Sequence, residues 1–149
     1  MSAPNAALDD ARVIFVCVGN SCRSQMAQGL FNRLASERGL ELNADSAGTQ
    51  PEGYVSQGAI EVMAERGIDI SHHTSDRVDP QALVDYDYVI TMGCDDRGLC
   101  PATFAGEARD WAIRDPLGHP LDVFRGVRDE IEGRVRELIE ELSGNVERV

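Results

Sequence analysis

The chain has 149 residues, a formal net charge of −12 and 42% hydrophobic residues, which is typical of one globular domain with a substantial core. All 14 basic residues are arginine, and the strong acidity argues against nucleic acid as a main partner. No apolar run approaches the ~20 residues that a membrane-spanning helix needs, and the first ten residues lack the apolar core of a signal peptide. We therefore expect a cytoplasmic domain over residues 11–149, preceded by a disordered lead-in over residues 1–10.

The first half of the chain alternates strand and helix patterns. The apolar run Val13–Val16 predicts a fully buried strand. Apolar residues at helical spacing from Met26 to Leu34 predict a helix that extends to Gly39. Alternating apolar and polar residues from Leu40 to Ala47 predict a half-buried strand. A second helix is predicted from Ser56, as its N-cap, to Gly67.

The second half repeats this alternation. Asp79 and Pro80 predict the start of a short helix, and Tyr86–Met92 is rich in residues that favour a strand. Arg109–Ile113 predicts a short fourth strand, and the amphipathic segment Pro120–Leu142 a long helix. The whole order predicts a single-domain α/β fold, a four-stranded parallel sheet with helices on both faces. In such sheets ligands bind at the carboxyl ends of the strands.

The turn between the first strand and the first helix combines a thiol, a glycine and an arginine. Backbone N–H groups at a helix N-terminus lack internal partners and can form a nest for an oxyanion. Gly19 permits close approach, Asn20 tolerates a positive φ, and the planar fork of Arg23 suits a tetrahedral oxyanion. This field stabilises the thiolate of Cys17 as a nucleophile, to which Ser24 can donate a hydrogen bond. The predicted oxyanion-binding residues are Val18, Gly19, Asn20, Ser21, Cys22, Arg23 and Ser24.

Three further cysteines and one aspartate are candidates for chemistry. Cys22 is either ordinary core packing or a second redox thiol. Cys94 and Cys100 fall in a Gly- and Asp-rich segment after the third strand, which is typical of a surface loop. No Cys-x2-Cys pair exists, so we expect no metal site. Asp115 precedes a proline after the fourth strand, where it is either a general acid or a turn-forming residue.

The segment from Cys17 to Ala27, Cys-Val-Gly-Asn-Ser-Cys-Arg-Ser-Gln-Met-Ala, resembles the signature of the low-molecular-weight tyrosine phosphatase superfamily. From Asn20 onward it is most similar to the arsenate reductase branch. Ser46–Thr49, Gly67–Ser71 and Arg128–Ile131 resemble the same branch. The resemblance implies a cytoplasmic enzyme of arsenic resistance and detoxification that reduces arsenate to arsenite.

The same resemblance implies roles for the candidate residues. Cys17 attacks arsenic, Asp115 assists loss of water, and a second thiol then attacks the Cys17 sulfur. The implied relay runs from Cys17–Cys94 to a Cys94–Cys100 disulfide and on to a thioredoxin-like protein. The segment Thr91-Met92-Gly93-Cys94 is more similar to a branch that uses small thiols with a glutaredoxin-like partner. The identity of the reductant and the order in which Cys94 and Cys100 act therefore stay open. The alternative is a tyrosine or small-phosphoester phosphatase, in which water hydrolyses a phosphocysteine.

The resemblance also bears on ligands. It implies a monomer with no tightly bound cofactor, an external thiol reductant, and arsenate as substrate with phosphate or sulfate as mimics. Some relatives bind potassium, with contributions that match Asn20, Ser46, Thr74 and Asp76. Gln28 stands where the reductases commonly have a glutamate, which argues against potassium in this chain.

Overall fold

The computed structural model describes residues 11–93, 99 and 104–147. Its sheet contains four parallel strands in the order β2-β1-β3-β4: β1 (Arg12–Cys17), β2 (Asn43–Gly48), β3 (Tyr88–Thr91) and β4 (Glu107–Asp110). Its helices are α1 (Arg23–Glu37), α2 (Gln57–Ala64) and α3 (Leu121–Glu147), with a 3-10 helix over Pro80–Asp85. The predicted α/β fold with a four-stranded parallel sheet is confirmed.

The central strand β1 is buried on both faces, which explains its continuous apolar run. Val13 and Phe15 point into the main core, which α1, α2 and α3 complete. Ile14 and Val16 point into a smaller core on the opposite face, which Leu83 of the 3-10 helix helps to close. Helical segments therefore cover both faces, as predicted, but the three α-helices share one of them.

The fourth strand is shifted from its predicted position. It ends at Asp110, and the buried residues Trp111 and Ile113 follow it outside the strand, although the Trp111 N–H still donates to the Thr91 carbonyl over 2.8 Å. Ala112 between them has a φ of 50°, which interrupts an extended chain. The prediction of a strand over Arg109–Ile113 was therefore wrong at its C-terminal end.

Other boundaries differ in detail: β3 is shorter than the predicted Tyr86–Met92, α2 ends at Ala64 rather than Gly67, and α3 extends past Leu142 to Glu147. Strand β2 begins at Asn43, three residues later than the alternation predicts. Helix α2 begins at Gln57, so Ser56 does occupy the N-cap position, but its side chain makes no capping hydrogen bond. The lead-in over residues 1–10, Cys94 and Cys100 lie outside the described residues. No helix within the described ranges is both long and apolar enough to cross a membrane.

The parallel arrangement brings three chain segments to one edge of the sheet. Strand β1 ends at Cys17, β3 ends at Thr91, and the segment after β4 leads to Asp115. The carboxyl ends of parallel strands lie at the same edge. The predicted nucleophile and the predicted acid are consequently neighbours, although 98 positions of sequence separate them.

Candidate active site

The loop between β1 and α1 is tied from outside by the segment that follows β2. Three N–H groups of this segment donate to loop carbonyls over 2.8 to 3.1 Å: Thr49 to Cys17, Gln50 to Val18 and Glu52 to Gly19. In a trans peptide the C=O and the following N–H point in opposite directions. The N–H groups after these carbonyls therefore point to the inner side of the loop, which makes the loop an anion nest.

The Cys17 thiol lies on that inner side and is buried, with 2% of its surface exposed. The backbone N–H of Asn20 donates to Cys17 Sγ over 3.2 Å, and Ser24 Oγ lies 2.9 Å from the same atom. Because Ser24 Oγ already accepts from Asn20 Nδ2 at 2.7 Å, its own hydrogen is available to the sulfur. Asn20 adopts a φ of 46°, the positive φ expected from the sequence. Two donors thus stabilise a thiolate at Cys17.

The guanidinium of Arg23 is buried and anchored along one edge. Its Nη1 donates to the carbonyl of Met92, after β3, and to that of Ile113 over 3.0 Å. Its Nε has no hydrogen-bond partner among residues 11–93, 99 and 104–147, and Nη2 lies 3.7 Å from Asp115 Oδ2. A buried donor without a partner costs free energy. The Nε and Nη2 edge is therefore arranged for an oxyanion that would accept from both atoms.

A cavity of about 50 Å³ lies between the Cys17 thiol, the oxyanion loop and Arg23. Loop residues 17–19 and 21–23 form its floor and wall, and Glu52, Asp115 and Leu117 complete its lining. This volume is enough for a small tetrahedral ion, since a cavity of about 10–15 Å³ already holds a water molecule. Asp115 Oδ1 accepts from the N–H of Leu117 at 3.0 Å, which fixes the carboxyl at the mouth of the cavity. A thiolate, an anion nest and a carboxyl can together attack a tetrahedral centre and protonate a leaving oxygen.

Two of the predicted oxyanion-binding residues have a different position. Asn20 and Ser24 contact the Cys17 sulfur but do not line the cavity, whereas Val18, Gly19 and Ser21 do. Asn20 and Ser24 hold the nucleophile rather than surround its target.

Cys22 is the other thiol of this loop, and only 3% of its surface is exposed. Burial raises the pKa of the Cys22 thiol to about 11, and a hydrogen bond with Ser56 opposes the shift only in part. At neutral pH Cys22 is therefore a protonated thiol, and the interpretation as core packing suits it better than that of a second nucleophile.

A larger, open cavity of about 360 Å³ lies beside Gln28, Ser46, Thr74 and Asp76, and does not include Cys17. They include three of the four residues considered above for potassium, together with Gln28. Ser46 Oγ donates to Gln28 Oε1 over 2.6 Å and accepts from Asn20 Nδ2 over 3.0 Å. The N–H of Asp76 donates to Asn20 Oδ1, and Thr74 Oγ1 donates to one Asp76 oxygen. The oxygens of Asn20, Ser46 and Gln28 and one oxygen of Asp76 already accept hydrogen bonds, and position 28 holds an amide, so we continue to expect no potassium here. The described residues contain no His, Cys, Asp and Glu cluster suited to another metal.

Two residues at the site are absent from the sequence-based prediction. Gln25 is buried and donates to the carbonyls of Asn20 and Thr74 over 3.0 and 2.8 Å, while its oxygen faces His73 Nδ1 at 2.9 Å. A polar residue among the apolar positions of α1 is the signal that would have found it. Glu52 lies between the predicted strand that ends at Ala47 and the predicted helix that begins at Ser56, and no local pattern indicates its place at the cavity.

Comparison with known proteins gives matches over nearly the whole chain. A family model described as low molecular weight phosphotyrosine protein phosphatase matches residues 12–148. Arsenate reductase 1 of Staphylococcus haemolyticus is 40% identical over 136 residues, which cover 91% of this chain and 99% of that protein. A solved arsenate reductase in the phosphate binding state has 38% identity and a TM-score of 0.77, with 89% of this chain and 98% of that one covered. A low molecular weight protein tyrosine phosphatase from T. tengcongensis has 34% identity and a TM-score of 0.80, with 89% and 99% covered.

Proposed function

This chain belongs to the low molecular weight phosphotyrosine protein phosphatase family, and we propose that it is an arsenate reductase of that family. The observation that supports this most is the buried Cys17 thiol, with two hydrogen-bond donors, beside Arg23, whose Nε has no hydrogen-bond partner among the described residues. Relatives at about 40% identity are named arsenate reductases, and a solved one binds phosphate, which has the shape and charge of arsenate.

In the first step the Cys17 thiolate attacks the arsenic atom of arsenate. A sulfur–arsenic bond forms, and one arsenic–oxygen bond breaks. The leaving oxygen takes a proton from Asp115 and departs as water. Arg23 and the loop N–H groups stabilise the negative charge on the remaining oxygens during this step.

The second step reduces arsenic. A second thiol attacks the Cys17 sulfur, the sulfur–arsenic electron pair passes to arsenic, and arsenite leaves with a new disulfide behind it. We propose Cys94 or Cys100 as this thiol. Both lie outside the described residues, but Gly93, which precedes Cys94, lies beside the site. A Cβ added at Gly93 would be 3.1 Å from Arg23 Nη1. Gly93, the residue before Cys94 in the sequence, therefore lies next to the arginine that would hold the substrate.

An external reductant must then restore the dithiol. We propose a thioredoxin-like protein, or a small thiol with a glutaredoxin-like partner, because either supplies two electrons by thiol–disulfide exchange. The catalytic cycle would need no tightly bound cofactor, since both electrons come from thiols.

The test is a single turnover of the fully reduced protein with arsenate and no added reductant. Release of one arsenite per chain, with a disulfide between two of Cys17, Cys94 and Cys100 found by peptide mapping, would support the proposal. Cys17→Ser should release none, and arsenite release at the normal rate from this variant would exclude Cys17 as the nucleophile. Cys94→Ser and Cys100→Ser, tested separately, identify the thiol that attacks first, because the variant lacking it forms the adduct but releases no arsenite.

The phosphatase relative with 34% identity supports a second candidate function. The same groups would form a phosphocysteine that water hydrolyses, and this reaction needs neither Cys94 nor Cys100. Steady hydrolysis of a phosphate monoester, without arsenite from any thiol mixture, would establish this alternative. A weak phosphatase activity beside arsenate reduction would not, because phosphate and arsenate present the same shape to the loop.

A further inference from the structure

Glu52 brings a second carboxylate to the mouth of the 50 Å³ cavity. Its N–H donates to the Gly19 carbonyl over 2.9 Å, so its backbone is fixed against the oxyanion loop. Its side chain lies along the loop, since a Cβ added at Gly19 would be 3.0 Å from Glu52 Cγ and 3.3 Å from Glu52 Oε2. Among the described residues this carboxylate has no hydrogen-bond or ion-pair partner, unlike Asp115, which lies 3.7 Å from Arg23 Nη2.

A bound oxyanion would direct one oxygen towards this carboxylate. The attacking sulfur and the leaving oxygen lie roughly in line, so the leaving oxygen points away from Cys17 to the mouth. The other oxygens face the loop N–H groups and the Arg23 edge. Asp115 and Glu52 line the mouth together, and a cavity of this size leaves neither far from a central ion.

A carboxylate accepts hydrogen bonds and cannot donate them. Arsenate and phosphate keep at least one hydroxyl near neutral pH, which can donate to Glu52. Sulfate has no hydroxyl at that pH, and would place an unprotonated oxygen against a negative charge. An ester has its organic group in the same place, where the carboxylate would crowd it.

We propose that Glu52 is a specificity-determining residue that selects inorganic oxyanions with a hydroxyl over sulfate and over esters. The inference rests on the proposed function and deepens it, because it defines the substrate class of the same site. On the sequence alone, phosphate and sulfate are equivalent mimics of arsenate, whereas Glu52 would make the site bind phosphate more tightly than sulfate.

The experiment measures anion binding without turnover. The reduced full-length protein is alkylated with iodoacetamide at pH 7.5, and modification of Cys17 is followed by mass spectrometry in the presence of phosphate or sulfate. The proteins compared are the wild-type protein and the variants Glu52→Gln and Glu41→Gln. Glu41 is an exposed residue before β2, at the opposite edge of the sheet, and the control removes the same charge.

We expect phosphate to protect Cys17 at a concentration about tenfold lower than sulfate does, because a hydrogen bond to a charged group is among the stronger ones. In Glu52→Gln sulfate should protect about tenfold better, since the amide can donate to it, while protection by phosphate changes less than about threefold. Glu41→Gln should retain the original preference.

Two results would overturn the inference. One is equal protection of Cys17 by both anions in the wild-type protein. The other is that Glu52→Gln improves protection by phosphate and by sulfate equally. The second would mean that Glu52 contributes only bulk charge. Because no arsenate is consumed, the preference can be found in a protein that fails the single-turnover test. Loss of the proposed function and loss of this inference are therefore distinguishable.

Discussion

Gly48 connects the sheet to the oxyanion loop, and its replacement by alanine tests how rigidly that loop must be held. Gly48 is paired with Cys17 in the β1–β2 ladder. A Cβ at Gly48 would lie 2.6 Å from the carbonyl oxygen of Val18 and 2.9 Å from the backbone nitrogen of Asn20. Both are backbone atoms of the loop, and the Val18 carbonyl already accepts from Gln50 at 2.8 Å. The loop must therefore move as a unit and take the Asn20 N–H away from the Cys17 sulfur.

The expected size of the effect follows from these contacts. Overpacking of this kind costs about 1–3 kcal/mol of the free energy of unfolding. A displacement approaching about 1 Å in a catalytic group costs about 10²-fold in rate. Gly48→Ala should accordingly lower kcat/KM for arsenate by about 10²-fold. Urea unfolding by circular dichroism and arsenite release under steady-state conditions measure the two quantities.

Gly126→Ala is the matched control. Gly126 lies inside α3, and a Cβ there would meet no atom within 4 Å. Replacing glycine in a helix interior should raise the free energy of unfolding by about 0.5–1 kcal/mol and leave the activity unchanged. If Gly48→Ala kept kcat/KM within about threefold of the original, β2 would not position the loop, and the rigid-loop interpretation would be wrong.

Three further predictions concern the acid, the buried thiol and the second cavity. Asp115→Asn should slow adduct formation by about 10²–10⁴-fold in rapid-quench measurements, with phosphate protection of Cys17 little changed; an equal loss of both would mean that Asp115 only supports the loop. Burial raises the pKa of the Cys22 thiol from 9.0 to about 11 in the folded chain, so the unfolded chain loses this proton first as the pH rises. The stability that this difference contributes is fully present below pH 9 and is lost as the pH rises to 11. The free energy of unfolding, from urea titrations, should fall there by about 1.4 kcal/mol per pH unit, and Cys22→Ala should flatten this slope; an unchanged slope in the variant would assign it to other groups. The rate of arsenate reduction should be the same in KCl and NaCl of equal ionic strength, whereas Gln28→Glu should make the rate depend on potassium. A potassium requirement in the wild-type protein would show that the hydrogen bonds around Ser46 do not prevent potassium binding.

The contiguous part of the site was predictable from the sequence. The turn from β1 to α1 contains Cys17, Gly19, Asn20 and Arg23 within seven residues, and local rules for strands, helix N-termini and positive φ apply directly to it. The neighbourhood of Asp115 followed from one topological rule, that the carboxyl ends of parallel strands lie at one edge.

Long-range contacts without a local pattern could not be predicted. The Arg23 guanidinium is oriented by the carbonyls of Met92 and Ile113, and any residue type supplies a carbonyl. The place of Glu52 depends on how the segment after β2 pairs with the loop. The end of β4 depends on the positive φ of Ala112, which alanine rarely adopts and which no sequence pattern announces.

The first half of the reaction does not separate a reductase from a phosphatase. Both need a thiolate at Cys17, an arginine edge that donates to a tetrahedral anion, and an acid at the mouth. The difference lies in what the mouth admits and in which nucleophile comes second. A cavity of about 50 Å³ with two carboxylates at its opening suits an ion that brings its own hydroxyl and disfavours a bulky ester. The second step differs as well, since reduction needs a thiol where hydrolysis needs water. Substrate choice thus depends on the few groups at this opening, where a bulkier residue at position 52 should exclude esters more strictly.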